Sequence, residues 1–129
     1  MSKKRNAPKD HIKPTELWQL NGFWKLRSIT QTVYQNQKSA GQILSRFTTP
    51  VCVLIECHHM QLIWHVGTEK AFTVPIQIYR GKVITRPLLE TTEVRADCQL
   101  RGKLMFWRFV INRDSNNYSH YVYEFVKDE

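Results

Sequence analysis

Apolar and polar residues alternate along most of the chain, as in β-strands that bury one face and expose the other. The clearest run is 91–100, where Val94, Ala96 and Cys98 share one row and charged residues occupy the other. The same pattern predicts further strands over 23–34, 42–49, 51–57, 60–66, 71–79, 82–85, 103–112 and 118–126. The chain is therefore predicted to be all-β.

Within two of these strands the alternation also predicts which residues share a face. In 23–34, it puts Ser28 and Thr30 in the row of Trp24. In 118–126, Tyr121 and Tyr123 fall in one row, together with Phe125.

Short turns between the predicted strands favour an antiparallel meander. The turn before 42–49 is predicted at 39–41, and later turns at Arg80-Gly81 and Arg101-Gly102. Residues 13–20 predict a short helix that ends at Asn21-Gly22. Closing the meander removes its exposed edges, so we predict a single antiparallel up-and-down β-barrel of about eight strands. A β-sandwich also fits the pattern.

Length and composition indicate one globular domain. The chain has 129 residues, a common size for a single domain, and 42% of them are hydrophobic and 12% aromatic, which is enough to form a core. The net charge is +8, and half of it lies in residues 1–13, which hold five bases and one acid. We predict a basic flexible arm over 1–12 and a barrel domain over 13–129. The segment from Lys3 to Lys13 suggests an acidic partner, protein or nucleic acid, with a merely solvated end as the alternative. No apolar run is long enough for a membrane span, and nothing in the sequence indicates an oligomeric state.

Three cysteines without a CxxC pair, and a polar beginning without a secretory leader, lead us to expect a cytoplasmic protein with reduced thiols. Non-classical export stays open. His58 and His59 are adjacent, and adjacent strand residues point to opposite faces, so we predict no metal site. No phosphate-binding glycine loop is present, and no cofactor is predicted.

The segment LNGFWKLRS at 20–28 resembles the Gly-X-Trp start of the lipocalin-like (calycin) β-barrel family. The resemblance implies that Gly22 lets the entering chain cross close to the barrel floor and that Trp24 seals that floor. It also implies an arginine on a late strand that stacks on the tryptophan. We assign this role to Arg108, with Lys127 as the second choice.

Candidate ligand-binding residues are charged or aromatic side chains within apolar strands. Charged groups that point into a barrel must be paired or contact a polar ligand, whereas on the outer face they cost nothing. The candidates are Arg46, Glu56, Trp64, Arg108, Tyr121, Tyr123 and Glu124.

The favoured function is a lipocalin-like module that binds a small apolar or aromatic ligand inside the barrel. The alternative is an interaction or structural protein with a barrel filled by its own side chains, whose basic arm engages an acidic partner. An enzyme that uses inward carboxylates such as Glu56 or Glu124 is the least favoured, because no nucleophile motif is present.

Overall fold

The computed structural model describes residues 11–114 and 116–128. Eight antiparallel strands close into one barrel, in which each strand pairs with the next and β8 pairs with β1. The strands are β1 (Gly22–Gln35), β2 (Lys38–Glu56), β3 (Gln61–Trp64), β4 (Phe72–Tyr79), β5 (Lys82–Thr85), β6 (Val94–Arg101), β7 (Leu104–Asn112) and β8 (Asn117–Lys127). The predicted all-β up-and-down barrel is thereby confirmed.

The predicted N-terminal helix is a single 3-10 turn, Leu17–Leu20, rather than a helix over 13–20. The side-chain oxygen of Gln19 accepts hydrogen bonds from the backbone N–H groups of Thr15 and Glu16, at 2.6 and 3.2 Å. These bonds hold the start of the turn. No helix within the described ranges is long and apolar enough to cross a membrane.

The predicted arm over 1–12 falls mostly outside the described residues, which begin at His11. Ile12, the last residue of that segment, forms an antiparallel bridge with Leu100. Its N–H and C=O groups make backbone hydrogen bonds of 2.8 and 2.7 Å with Leu100. The chain is therefore attached to β6 before it enters the barrel.

The prediction of two separate strands over 42–49 and 51–57 is wrong, because residues 42–56 all belong to one long strand, β2. The pairing of β1 with β2 jumps from Leu26–Val51 to Ser28–Arg46. Four residues of β2, 47–50, thus stand opposite the single residue Arg27. This is a large, irregular β-bulge, and it contains Pro50, a residue that sheets accept at bulges. The proline marks a bulge, where the sequence suggested a break.

β1 has an irregularity at the same place, because its pairing with β8 passes from Leu26–Phe125 directly to Ser28–Glu124 and leaves Arg27 as an extra residue. Trp24 and Leu26 are buried before it, and Ile29 is buried after it. The predicted row that joined Ser28 and Thr30 to Trp24 is therefore wrong, since one irregular residue reverses the alternation.

The turn between β1 and β2 lies at Asn36-Gln37, not at the predicted 39–41. Gln35 pairs with Lys38, and both turn residues have positive φ, 51° and 65°. This is the two-residue hairpin geometry whose twist matches that of the flanking strands. Residues 39–41 are part of β2.

The strands differ in length, so the barrel is taller on one side. β3 and β5 have four residues each, whereas β1 has 14 and β2 has 19. Of the residues of β2, only 53–56 pair with β3. The remainder of β2 rises above the short strands, next to the open end of the barrel, which we call the mouth.

We expect Gly22→Ala to destabilise the fold, and Gly41→Ala to be tolerated. Gly22 has φ +119°, and an added Cβ would lie 2.6 Å from Nζ of Lys127. The backbone strain alone should cost about 1–3 kcal/mol. Gly41 meets nothing within 4 Å, so alanine there should leave stability unchanged or raise it by up to about 1 kcal/mol. Urea unfolding of both variants measures the difference, and equal losses would contradict this account of Gly22.

Candidate functional site

The closed end of the barrel is built around Trp24, which is 3% exposed. Its indole N–H donates to the backbone oxygen of Leu20 at 2.8 Å. Nζ of Lys127 lies 4.7 Å from the centroid of a Trp24 ring and donates to the backbone oxygen of Asn21 at 2.7 Å. The side chain of Asn21 in turn accepts from the N–H of Cys57 at 3.2 Å. The 3-10 turn, the start of β1 and the end of β8 meet at this point.

The stacking partner of Trp24 is therefore Lys127, and the assignment of that role to Arg108 is corrected. Arg108 stacks on Phe106, with its guanidinium carbon 5.4 Å from the ring centroid, and donates to the side chain of Gln99 at 2.6 Å. Phe106 and Arg108 belong to one row of β7, and the buried row contains Trp107. Arg108 is thus on the outer face, away from the barrel floor.

A signal for Lys127 was present in the sequence. Tyr121, Tyr123 and Phe125 form a row with period two, and Lys127 is the next member of that row. Because β8 has no bulge in its pairing with β7, the alternation continues to Lys127. Lys127 is also paired directly with Trp24 in the sheet.

Large aromatic side chains fill the centre of the barrel. Trp64, Trp107 and Phe125 are fully buried. The rings of Trp107 and Phe125 lie 4.5 Å apart, and Trp64 meets Trp107 edge-on at 6.0 Å. Burial of three such rings is a large hydrophobic contribution to stability. Trp64, one of the predicted ligand-binding residues, is therefore part of the packed core.

Two buried donors tie the loop after β5 to the core. The indole N–H of Trp64 donates to the backbone oxygen of Arg86 at 3.1 Å. The hydroxyl of Tyr123 donates to the backbone oxygen of Leu88 at 2.5 Å. Burial raises the pKa of Tyr123, with nearby Glu90 as a further cause. The hydroxyl therefore keeps its proton and remains a donor over the neutral pH range.

The loop held in this way projects over the mouth. Leu89 has φ 73° and is 76% exposed. A positive φ is uncommon for a branched residue and costs free energy. The strain is maintained by the anchored neighbour Leu88, which is buried.

Beneath this loop lies a cavity of about 170 Å³, which we call the mouth pocket. Tyr121 and Tyr123, both predicted ligand-binding residues, form part of its wall. The other lining residues are Ile29, Gln31, Ile43, Ser45, Leu89 and Glu90. The strands supply both apolar groups, from Ile29 and Ile43, and polar groups, from Gln31 and Ser45, and the loop adds Leu89 and Glu90.

Polar side chains around the mouth pocket are partly connected to each other. Nη2 of Arg113 donates to the hydroxyl of Tyr121 at 2.9 Å. The amide of Gln31 donates to Oγ of the buried Ser119 at 3.2 Å. Burial raises the pKa of Glu90, and the charge of Arg113 partly offsets this effect. The pocket thus offers a carboxyl, an amide and two phenol groups to a ligand.

The four charged candidates all lie on the outer face of the barrel. Glu56 follows the buried Ile55 and accepts a hydrogen bond from Gln61 at 2.8 Å. Arg46 is exposed. Glu124 lies between the buried residues of β8 and pairs with Arg27 at 3.4 Å. Together with Arg108, they avoid the cost of a charge in the aromatic core.

Arg46 and Glu124 nevertheless line one cavity, a groove of about 620 Å³ on the outer face at the β2 bulge. We call it the bulge groove. Its other lining residues are Arg27, Ser28, Thr30, Leu44, Phe47 and Pro50. The bulge lifts residues 47–50 away from β1 and so creates the hollow, which alternation alone does not predict.

Histidine and cysteine side chains are dispersed. His58 and His59 are exposed in a short 3-10 turn, Cys57–His59, between β2 and β3. Cys52 and Cys57 are half-buried and Cys98 is buried, and all three thiols are free. In the part of the chain that the structure describes, no three His, Cys, Asp or Glu residues are grouped to hold a metal ion.

Comparison of the chain with protein families, with curated proteins and with solved structures finds no significant match.

Substitution of the two central tryptophans by phenylalanine should have unequal effects. Both side chains are fully buried, so each change removes a similar volume. Trp64 loses its hydrogen bond to Arg86, whereas the N–H of Trp107 has no partner among the described residues. We expect Trp64→Phe to cost about 1 kcal/mol more than Trp107→Phe. Chemical denaturation measures this, and an equal or reversed order would contradict it.

Stability should fall as the pH rises above 9. Burial raises the pKa of Cys98 from its ordinary value of 9.0 to about 12. Between these values the unfolded chain has released the proton and the folded chain retains it, so higher pH favours unfolding. Cys98→Ala should flatten the decline between pH 9 and 11 in a urea titration, although it lowers stability at pH 7. An unchanged slope would contradict this role of Cys98.

Proposed function

We propose that the protein is a lipocalin-like binding module that holds a small apolar or aromatic group in the mouth pocket. The observation that carries the proposal is the pocket itself, which lies at the open end of a closed barrel and under an anchored loop. Its volume of about 170 Å³ is close to the roughly 150 Å³ that accommodates one benzene molecule in an engineered protein cavity. The ligand, or the part of it that enters, is therefore about one ring in size.

The lining supports an aromatic ligand with one polar substituent. Ile29 is buried and Ile43 offers an apolar wall, while Tyr121 and Tyr123 supply ring surfaces. Glu90 lies at the rim, where its carboxyl can accept a hydrogen bond from a hydroxyl or N–H group. Apolar and aromatic walls combined with polar groups that fix the orientation of a ligand are typical of small-molecule sites.

The closed end supports the family likeness. Gly22 has the positive φ that a close chain crossing requires, and Trp24 is buried beneath the ammonium group of Lys127. The proposed membership of the lipocalin-like family is supported by this segment, residues 22–24, and by the barrel topology. The three free thiols fit the proposed reducing environment.

The test uses phenol and indole as probes in titrations followed by amide NMR. We expect saturable shift changes at Ile43, Leu89 and Tyr121, and weaker binding by about tenfold in Ser45→Phe, because the new ring fills the pocket. Leu44→Phe adds a ring on the opposite face of the same strand and serves as the control.

Binding that is unaffected by Ser45→Phe, or shifts that cluster away from the mouth, would refute the proposal. A complete lack of shifts with both probes would refute it as well. In that case the alternative function, an interaction protein with a filled barrel, is the one to pursue.

The alternative function, an interaction protein, is favoured by the packed centre of the barrel. Trp64, Trp107 and Phe125 fill this centre, so that binding of a partner would use the outer surface. The basic arm from Lys3 to Lys13 remains part of this second candidate. Only its last residues are within the described structure.

A further inference from the structure

We propose that the exposed edge of β2, over residues 38–46, binds an extended acidic segment of another protein by strand addition. The proposal is independent of ligand binding in the mouth pocket. It rests on three observations: unpaired backbone, a charge of one sign, and a different chemistry on the two faces of the strand.

The first observation is the lack of a second neighbour for this part of β2. Residues 38–46 and Val51 pair with β1 on one side, and residues 47–50 form the bulge between them. Pairing on the other side begins where Val66 donates to the oxygen of Cys52 and continues with β3 from Val53. Among the described residues, therefore, nothing pairs with the outer edge of 38–51. Such an edge presents a row of backbone donors and acceptors to an incoming strand.

The bulge limits the usable edge to its first nine residues. Residues 47–50 depart from regular pairing, so their donors and acceptors do not continue the ladder. Residues 38–46 are regular except for one register shift near Val33, and all nine are exposed. This length matches a typical strand of a partner protein.

The second observation is the charge of the β1–β2 hairpin. Residues 22–55 contain no aspartate or glutamate, but they contain Lys25, Arg27, Lys38 and Arg46. The one carboxylate of the hairpin, Glu56, is the last residue of β2, in the part that pairs with β3 and away from the open edge. Arg27 is paired with Glu124 of β8. Lys38 and Arg46 stand at the two ends of the open edge. Arg46 pairs with Ser28 in the outer row, and Lys38 pairs with Gln35 in the row of Ile43. Each favours a carboxylate on its own face of an incoming strand, and both oppose a second basic edge. A second copy of this chain, with its own net charge of +8, is thus the less suitable occupant.

The third observation is the contrast between the faces of the strand. Ile43 is in the inner row, is 56% exposed, and lines the mouth with Leu89. Leu44 and Arg46 are in the outer row, beside the bulge groove. An added strand continues both rows. The matching partner segment therefore alternates, with apolar residues over Ile43 and acidic residues beside Arg46.

The experiment uses two capped nine-residue peptides, one of alternating glutamate and valine and one of alternating lysine and valine. Binding is measured on the full chain by titration calorimetry at low and high salt. We expect the acidic peptide to bind about tenfold more tightly than the basic one at low salt, with a smaller difference at high salt.

Hydrogen exchange locates the bound peptide. In the free protein, every second amide between residues 39 and 46 should exchange rapidly, because it faces the open edge. The acidic peptide should slow these alternate amides and no comparable set elsewhere. This pattern distinguishes strand addition from attraction to the basic arm.

Two charge reversals complete the test. Arg46→Glu should weaken binding of the acidic peptide by about fivefold or more. Arg95→Glu, at an exposed position of β6, makes the same charge change away from the edge and should leave the affinity unaltered.

Protection of another segment, equal effects of the two reversals, or equal affinity for the two peptides would overturn the proposal. Slow exchange of 39–46 in the free protein would also overturn it, because the edge would then be covered. If sedimentation showed a dimer under those conditions, the occupant would be a second copy.

Discussion

The interior of an eight-stranded barrel is narrow, and this constraint determines where the charged residues of the protein lie. Trp64, Trp107 and Phe125 occupy its centre. A charged group among them would lose its hydration without gaining a partner. Glu56, Arg108 and Glu124 accordingly extend outward from segments whose alternate residues are buried, and Arg46 lies in the exposed part of β2.

Much of the fold could be predicted from the alternation of apolar and polar residues, because along regular strands these residues are alternately buried and exposed. The boundaries of β5 match the predicted 82–85, and the inner row of β8 contains Tyr121, Tyr123 and Phe125 as expected. Irregular positions could not be predicted in the same way. At Arg27 the alternation is reversed in the pairing with β8, a strand distant in sequence, and at Asn36-Gln37 the turn is set by the hairpin register.

The candidate site was predictable only in part. Tyr121 and Tyr123 do reach the mouth pocket, because their row faces inward. Gln31 was not predicted, because the irregularity at Arg27 reverses the alternation of β1. Leu89 and Glu90 were not predicted, because their loop meets the strands only through contacts distant in sequence. The hydrogen bond from Tyr123 to Leu88 spans 35 residues. Arg108 was preferred to Lys127 by residue type, although its position in β7 puts it in the outer row.

The pairing of Trp24 with Lys127 joins the first strand to the last. A ribosome must therefore complete β8 before the barrel can close, and until then β1 and β7 lack the neighbour that separates them. Contacts between such distant positions also slow folding, because a long loop must be ordered before they form. During synthesis the tryptophan floor is consequently open, and the nascent chain exposes apolar surface for chaperones to cover.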